Sequence, residues 1–145
     1  MKKIVVIYYS GTGNTEAMAE AVVSGIENSG SEVEVNMLNV SEASIDDVKN
    51  ADAVALGCPS MGDEVLEEVE MEPFVESISE EVSGKPVVLF GSYDWGNGEW
   101  MEKWEVRMMG YGAVLADSGL IVNLQPDEEA LEKCNQLGST LVAAL

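Results

Sequence analysis

The sequence predicts a doubly wound α/β sandwich, in which helices cover both faces of a parallel β-sheet. Short apolar runs alternate repeatedly with amphipathic helical segments along the 145 residues, which is the order of elements in right-handed βαβ units. The apolar runs are unbroken, as in residues 4–9, and this pattern is typical of strands that are buried on both faces. A chain of this length forms one domain that buries about 70% of its unfolded surface.

Each predicted element has its own signal. Ser29 and Gly30 end the first helix, and Ser44 caps a short one. Proline at position 73 suits the first turn of a helix, where its missing N–H is not needed. The strands are expected over about residues 3–9, 33–37, 53–57, 86–90 and 113–122, the last one broken between 116 and 120. The helices are expected over about residues 15–28, 44–48 and 99–110, from Glu72 onward, and from Asp127 onward.

Two helices carry apolar stripes that predict core packing rather than a cofactor site. In the helix over 99–110 the stripe comprises Trp100, Met101, Trp104 and Met108. In the final helix, which Asp127 caps, it comprises Leu131, Cys134, Leu137, Leu141 and Leu145.

Residues 10–15, with the sequence Ser-Gly-Thr-Gly-Asn-Thr, lie between the first strand and the first helix. Glycines let backbone N–H groups converge there, hydroxyls add donors, and the positive end of the helix dipole faces the same point. The segment has no Lys or Arg for a Walker A loop and no third glycine for a dinucleotide site. Neutral donors suit a terminal monophosphate. The alternative is an ordinary βα turn rich in Gly, Ser and Thr.

The formal charge of −20, from 27 acidic and seven basic residues, excludes partners that are themselves polyanions. Nucleic acid and anionic membranes would be repelled, whereas basic protein faces would be attracted. Nine carboxylates fall between residues 63 and 81 without any Lys or Arg: Asp63, Glu64, Glu67, Glu68, Glu70, Glu72, Glu76, Glu80 and Glu81. This run predicts one strongly negative face, and the alternative is a surface that only confers solubility.

Several residue types and segments are absent. The sequence has no histidine, and its two cysteines lack zinc-binding spacing, so we expect neither a metal site nor a histidine-based catalyst. No apolar run is long enough for a membrane span or a signal peptide, and a cytoplasmic protein is expected.

Two further glycine-containing loops follow the third and fourth predicted strands. The second loop carries Met61 beside a Gly-Asp turn, and the third carries Tyr93 and Trp95. All three loops should meet at the carboxyl ends of the strands, where such folds bind ligands. Methionine on one side and aromatic rings on the other would form a slot for a flat ring system. A flat ring joined to a monophosphate indicates flavin mononucleotide (FMN).

These motifs resemble those of flavodoxins, in particular the short-chain type of clostridia and related anaerobes. The resemblance covers essentially the whole chain and rests on residues 10–15, 57–64, 90–93, 95–96 and 98–101. It implies one FMN-binding domain over residues 1–145 with a five-stranded parallel sheet in the order 2-1-3-4-5. It also implies a monomeric electron carrier, not an enzyme, that shuttles single electrons between redox proteins with basic faces.

The resemblance also implies roles for individual residues. Residues 10–15 would hold the phosphate, Met61 and Trp95 would cover the two faces of the isoalloxazine, and Glu64 would accept the N3 hydrogen. The peptide between Gly62 and Asp63 would turn over on reduction, so that its carbonyl stabilises the neutral semiquinone. The implied cofactor-binding residues are Ser10, Gly11, Thr12, Gly13, Asn14, Thr15, Ser60, Met61, Gly62, Asp63, Glu64, Ser92, Tyr93, Asp94, Trp95 and Gly96.

Asp94 departs from the family, which usually has glycine between the tyrosine and tryptophan of the third loop. We expect its backbone N–H still to reach the flavin O2, because aspartate tolerates the left-handed conformation better than most residues. Its carboxylate should repel the anionic reduced flavin.

Two other protein classes share the predicted fold. A flavodoxin-like quinone or flavin reductase would need groups to grip a nicotinamide dinucleotide and a substrate lid, for which this chain has few basic residues and little length. A receiver domain would need an acidic cluster after the first strand and a phosphoacceptor aspartate after the third. Residues 9–11 and 57–59 supply neither.

Overall fold

A computed structural model describes residues 1–30 and 32–145 and shows a parallel sheet between two layers of helices. The strands are β1 Lys2–Tyr8, β2 Val33–Asn39, β3 Ala53–Gly57, β4 Pro86–Tyr93, β5 Val114–Leu115 and β6 Leu120–Asn123. The helices are α1 Asn14–Glu27, α2 Ile45–Lys49, α3 Met71–Ser77, α4 Glu99–Gly110 and α5 Glu128–Ala143, with a 3-10 turn at Val40–Glu42. The strand order is β2-β1-β3-β4-β5, which confirms the predicted fold class.

The broken last strand is confirmed, and it changes the length of β4. Both β5 and β6 pair in parallel with β4, β5 at its beginning and β6 from Phe90 to Tyr93. The sequence prediction ended β4 at Phe90 and placed Gly91, Ser92 and Tyr93 in a loop. That boundary was wrong because β6 supplies ladder partners that are remote in sequence.

The sheet separates two cores. Ile4 and Val6 of β1 face α1 and α5, whereas Val5 and Ile7 face α3 and α4. This alternation follows from the two-residue period of a strand. The four residues of the predicted α4 stripe are buried, so their expected role in packing is confirmed: Trp100, Met101, Trp104 and Met108.

The predicted stripe of α5 is correct only in its centre. Cys134, Leu137 and Leu141 are buried, but Leu145 at the end of the chain is 38% exposed. Gly138 is buried instead, because α5 packs so closely on α1 that a Cβ there would collide with the backbone of Val22. Among the described residues, no helix combines the length and apolarity that a membrane span needs.

Candidate cofactor site

The three loops that follow β1, β3 and β4 meet in one cleft of about 410 Å³. Its position at the carboxyl ends of the strands is the usual ligand site of open α/β sheets. The lining residues are Gly11, Thr12, Asn14, Pro59, Ser60, Met61, Ser92, Tyr93, Asp94 and Leu124. None of these lining residues is a lysine or an arginine. A phosphate bound in the cleft would therefore accept hydrogen bonds from uncharged donors.

The first loop presents an open helix start to the cleft. Gly13 is the N-cap of α1 with φ +96°, and it has no side chain to cover the first N–H groups of the helix. Its own N–H donates to Ser10 Oγ at 3.0 Å, which holds the loop in a tight turn. Gly11, Thr12 and Gly13 are exposed. The loop therefore offers backbone and hydroxyl donors to an anion.

Thr15 lies behind this loop rather than on its surface. Its hydroxyl oxygen is 3.0 Å from the hydroxyl oxygen of Ser92, and both side chains are buried. A buried hydrogen bond therefore joins the first turn of α1 to the end of β4.

The second loop is a closed turn. Met61 and Val65 exchange backbone hydrogen bonds of 2.9 and 3.0 Å, and within the turn both Gly62 and Glu64 have positive φ, +48° and +57°. Ser60 N–H donates to the carbonyl of Ser92 at 3.0 Å. The turn thus holds Met61 at the cleft and leaves Gly62 and Asp63 exposed.

Glu64 is not among the residues that line the cleft. Its side chain is buried, and Oε1 accepts hydrogen bonds from the backbone N–H groups of Gly98 at 3.2 Å and Glu99 at 2.9 Å. These groups begin α4, so the carboxylate caps a helix that lies far along the chain. Glu64 also lines a separate cavity of about 180 Å³ beside Trp100 and Trp104.

The third loop is anchored by residues that the sequence interpretation missed. Leu124 N–H donates to the carbonyl of Tyr93 at 2.8 Å, and Asn123 Nδ2 donates to the same carbonyl at 3.2 Å. Leu124 lines the cleft, is 54% exposed and has φ +59°. Pro59 also lines the cleft. The usable signal for Leu124 was its place after a parallel strand, since the carboxyl ends of such strands share one edge.

Aromatic side chains of this loop differ in exposure. Tyr93 is half-buried and packs against Trp100 with ring centroids 5.6 Å apart, whereas Trp95 is 59% exposed. The expected left-handed conformation of Asp94 is wrong, because the positive φ values of this loop fall on Gly96 and Gly98. Asp94 therefore occupies the third loop without a left-handed backbone conformation.

The acidic run over residues 63–81 is not one uniform charged surface. Glu64 and Glu67 are buried, and Glu67 accepts hydrogen bonds from Val69 N–H at 2.9 Å and Met71 N–H at 3.3 Å at the start of α3. Glu72 pairs with Arg107 through two hydrogen bonds of 2.6 and 2.7 Å. The exposed carboxylates of the run are Asp63, Glu68, Glu76 and Glu80.

Burial makes both cysteine thiols unreactive. Cys58, next to the cleft, has its thiol pKa raised to about 12 by desolvation, and Cys134 behaves in the same way. Neither is a thiolate near neutral pH, so neither thiol is a nucleophile at this site.

Together the fold and the cleft define a protein that binds a phosphate-bearing cofactor at the carboxyl edge of a parallel sheet. The sequence matches the family model described as Flavodoxin over residues 6–138, and the chain belongs to the flavodoxin family. It is 53% identical to the flavodoxin of Clostridium beijerinckii, over 94% of this chain and 96% of that one. It is 41% identical to the flavodoxin of Megasphaera elsdenii, over 96% and 98%.

Solved structures agree with this membership. The solution structure of two-electron reduced Megasphaera elsdenii flavodoxin matches with a TM-score of 0.86 and covers 97% of this chain and 99% of that one, at 41% identity. An archaeal flavodoxin matches with a TM-score of 0.87 at 30% identity, over 97% and 96%. This protein is therefore a short-chain flavodoxin, an FMN-dependent electron carrier for redox partners rather than an enzyme.

Proposed function

We propose that residues 1–145 act as one FMN-binding domain in which residues 10–15 hold the phosphate and the isoalloxazine lies between Met61 and Trp95. The observation that carries this proposal is the convergence of three loops on one cleft. When bound, FMN supplies the one-electron redox chemistry. The protein's own residues bind it, orient it and set the field around it.

The phosphate assignment rests on the donors of the first loop. Exposed backbone N–H groups and the Thr12 hydroxyl surround the open start of α1, and a helix N-terminus favours negative charge. Asn14 and Ser92 also line the cleft. The donor set fits a dianion that is neutralised by dipoles instead of by lysine or arginine.

The ring assignment rests on the second and third loops. Met61 and Tyr93 both line the cleft, and the more exposed Trp95 lies two residues beyond Tyr93. The volume of about 410 Å³ lies within the usual range of roughly 300–1,000 Å³ for small-molecule sites. A polarisable thioether and an indole would contact the two faces of a flat ring.

The charge of the protein favours basic partners. With a net charge of −20 and exposed Asp63, Glu68 and Asp94 on the loops around the cleft, the surface attracts the basic faces of redox proteins and accelerates encounter. We propose a monomer that forms transient, salt-sensitive complexes. Its buried, unpaired Cys58 and Cys134 suit work in the reducing cytoplasm.

Titration of the FMN-free protein with FMN and with riboflavin tests the cofactor assignment. FMN should bind stoichiometrically and riboflavin much more weakly, because riboflavin lacks the phosphate that residues 10–15 are proposed to hold. Stepwise reduction of the bound flavin should pass through a distinct half-reduced spectrum, and NAD(P)H alone should not reduce it. A protein that ignores FMN would overturn the proposal. Equal affinity for both flavins would overturn the phosphate assignment.

Stopped-flow reduction of cytochrome c, a basic haem protein, tests the partner assignment. The second-order rate should fall steeply as ionic strength rises, because salt screens attraction between exposed charges beyond about 10 Å at 0.1 M. A rate that is independent of salt would show that the acidic surface does not steer partners.

A further inference from the structure

The carboxylate of Glu64 connects the two loops that are proposed to flank the isoalloxazine. Glu64 belongs to the closed turn after β3, and the N–H groups that it accepts belong to Gly98 and Glu99 after β4. Both hydrogen bonds form within the protein without a bound ligand, because each donor is a backbone N–H group.

The start of α4 needs this carboxylate. Its N-cap is Gly98, which has φ +91° and no side chain to accept from the first N–H groups. Unpartnered N–H groups at a helix start are costly when buried, and Gly98 is buried. Glu64 supplies the acceptor that the local sequence lacks, and its negative charge also complements the helix dipole.

Gly96 provides the space for this contact. A Cβ built on Gly96 would lie 2.6 Å from Glu64 Cδ and 2.7 Å from Glu64 Oε1. Any larger residue there would displace the carboxylate from the start of α4. Glu64 also occupies a left-handed conformation, φ +57°, which is uncommon for a residue with a long side chain.

We propose that Glu64 and Gly96 form a preassembled clasp that fixes the turn over residues 61–65 against the start of α4 before FMN binds. Gly96 is then a positioning residue that acts through Glu64. The clasp sets the separation of Met61 from the third loop in the FMN-free protein. The inference rests on the proposed FMN site for its effect on the cofactor, but the clasp itself is a property of the protein alone.

A double-mutant cycle of Gly96→Ala and Glu64→Ala tests the clasp. Alanine at position 96 adds a methyl group, and it strains the backbone because this position has a positive φ. The strain is present in both backgrounds, but the collision exists only when the Glu64 carboxylate is present. In urea unfolding of the FMN-free protein, the double variant should be no less stable than the more damaged single variant. Additive losses would overturn the proposal.

FMN affinity provides the functional measurement. Gly96→Ala should weaken FMN binding by about tenfold or more when Glu64 is present, and by less than about threefold in the Glu64→Ala background. Gly84→Ala is the matched control, because Gly84 also has positive φ, +77°, but a Cβ there meets nothing within 4 Å. It should lower stability and leave FMN affinity unchanged. Equal effects of Gly96→Ala in both backgrounds would show that Gly96 does not act through Glu64.

Hydrogen exchange in the FMN-free wild-type protein gives a readout that needs no variant to fold. The amides of Gly98 and Glu99 should be protected in the absence of FMN and should exchange faster in Glu64→Ala. Protection that develops only after FMN is added would overturn preassembly and leave the cofactor assignment intact. Failure of FMN to bind would overturn the proposed function, whereas the exchange result would still decide the clasp.

Discussion

Thr15 Oγ1 lies 3.0 Å from Ser92 Oγ, and both side chains are buried. Thr15 is in the first turn of α1, and Ser92 is near the end of β4. A single hydroxyl pair therefore joins the proposed phosphate loop to the strand that carries the third loop. The contact explains why a threonine is useful at a position that solvent does not reach.

Thr15→Val should lower the stability of the FMN-free protein by about 1–2 kcal/mol, because valine keeps the shape but leaves the Ser92 hydroxyl without its partner. Urea unfolding measures this change. Thr12→Val is the matched control at an exposed position of the cleft. It should weaken FMN binding and leave the stability of the FMN-free protein unchanged. Equal stability losses in the two variants would contradict the buried role of Thr15.

Trp100→Phe should cost more stability than Trp104→Phe, by about 1–2 kcal/mol. Both indoles are buried, so both substitutions remove similar volume. Trp100 Nε1 donates to the carbonyl of Cys58 at 3.2 Å, whereas Trp104 Nε1 is buried without a hydrogen-bond partner among residues 1–30 and 32–145. Thermal and urea unfolding of the two variants provide the comparison. The opposite order would mean that packing outweighs the hydrogen bond.

Glu72→Gln should destabilise the protein near neutral pH but not in acid. The hydrogen bonds from Arg107 lower the pKa of Glu72, although partial burial acts in the opposite direction. A lowered folded-state pKa contributes stability above the unfolded pKa of about 4.3, and this stability is lost as pH falls through the folded pKa. The pair is partly exposed, so we expect a cost on the order of 0.5–1 kcal/mol at pH 7.

Urea unfolding as a function of pH measures the effect of Glu72→Gln. Glu76→Gln is the control, because Glu76 is an exposed carboxylate on the same helix. This substitution changes the net charge by the same amount as Glu72→Gln. A difference between the two variants that persists unchanged below pH 3 would refute the assignment to ionised Glu72.

Asp94→Gly and Asp94→Asn should each raise the potential of the second one-electron reduction by an amount on the order of 40 mV. Asp94 lines the cleft and is exposed, so its charge opposes the negative charge that accumulates on the reduced flavin. Spectroelectrochemical titration measures the shift, and Asp117→Asn removes an equal charge outside the lining of the cleft. A fall in potential with the asparagine variant would show that the carboxylate has another role.

Gly62→Ala should lower the potential of the first one-electron step. A Cβ at Gly62 meets nothing within 4 Å, so alanine fits, but φ +48° costs about 1–2 kcal/mol for an L-residue. The same Cβ would obstruct the peptide rotation expected on reduction. Gly84→Ala carries similar strain away from the cleft and should leave both potentials unchanged. An unaltered yield of half-reduced flavin in the Gly62 variant would contradict the rotation.

The sequence predicted the fold and most of the cleft for a definite physical reason. Unbroken apolar runs such as residues 4–9 can be buried on both faces only in a covered parallel sheet, and parallel strands bring their following loops to one edge. Residues from the segments 10–15, 60–61 and 92–94 do line one cleft, as this reasoning predicts. Leu124 follows the last predicted strand, but which strand that segment pairs with was not predicted, and the pairing of β6 with β4 is what brings Leu124 to the cleft.

What the sequence determined by itself was the alternation of elements, the three loops and the family, since each depends on local periodicity and on motifs within a few residues. What only the tertiary structure decided was which groups pair across the chain. Glu64 reaches Gly98 and Glu99, Glu72 reaches Arg107, and Thr15 reaches Ser92. Hydrogen bonds need positions accurate to a few tenths of an ångström. Packing of both helical layers on the sheet fixes those positions. Two carboxylates of the acidic run therefore cap helices, a third forms an ion pair, and only part of the run is an exposed charged surface.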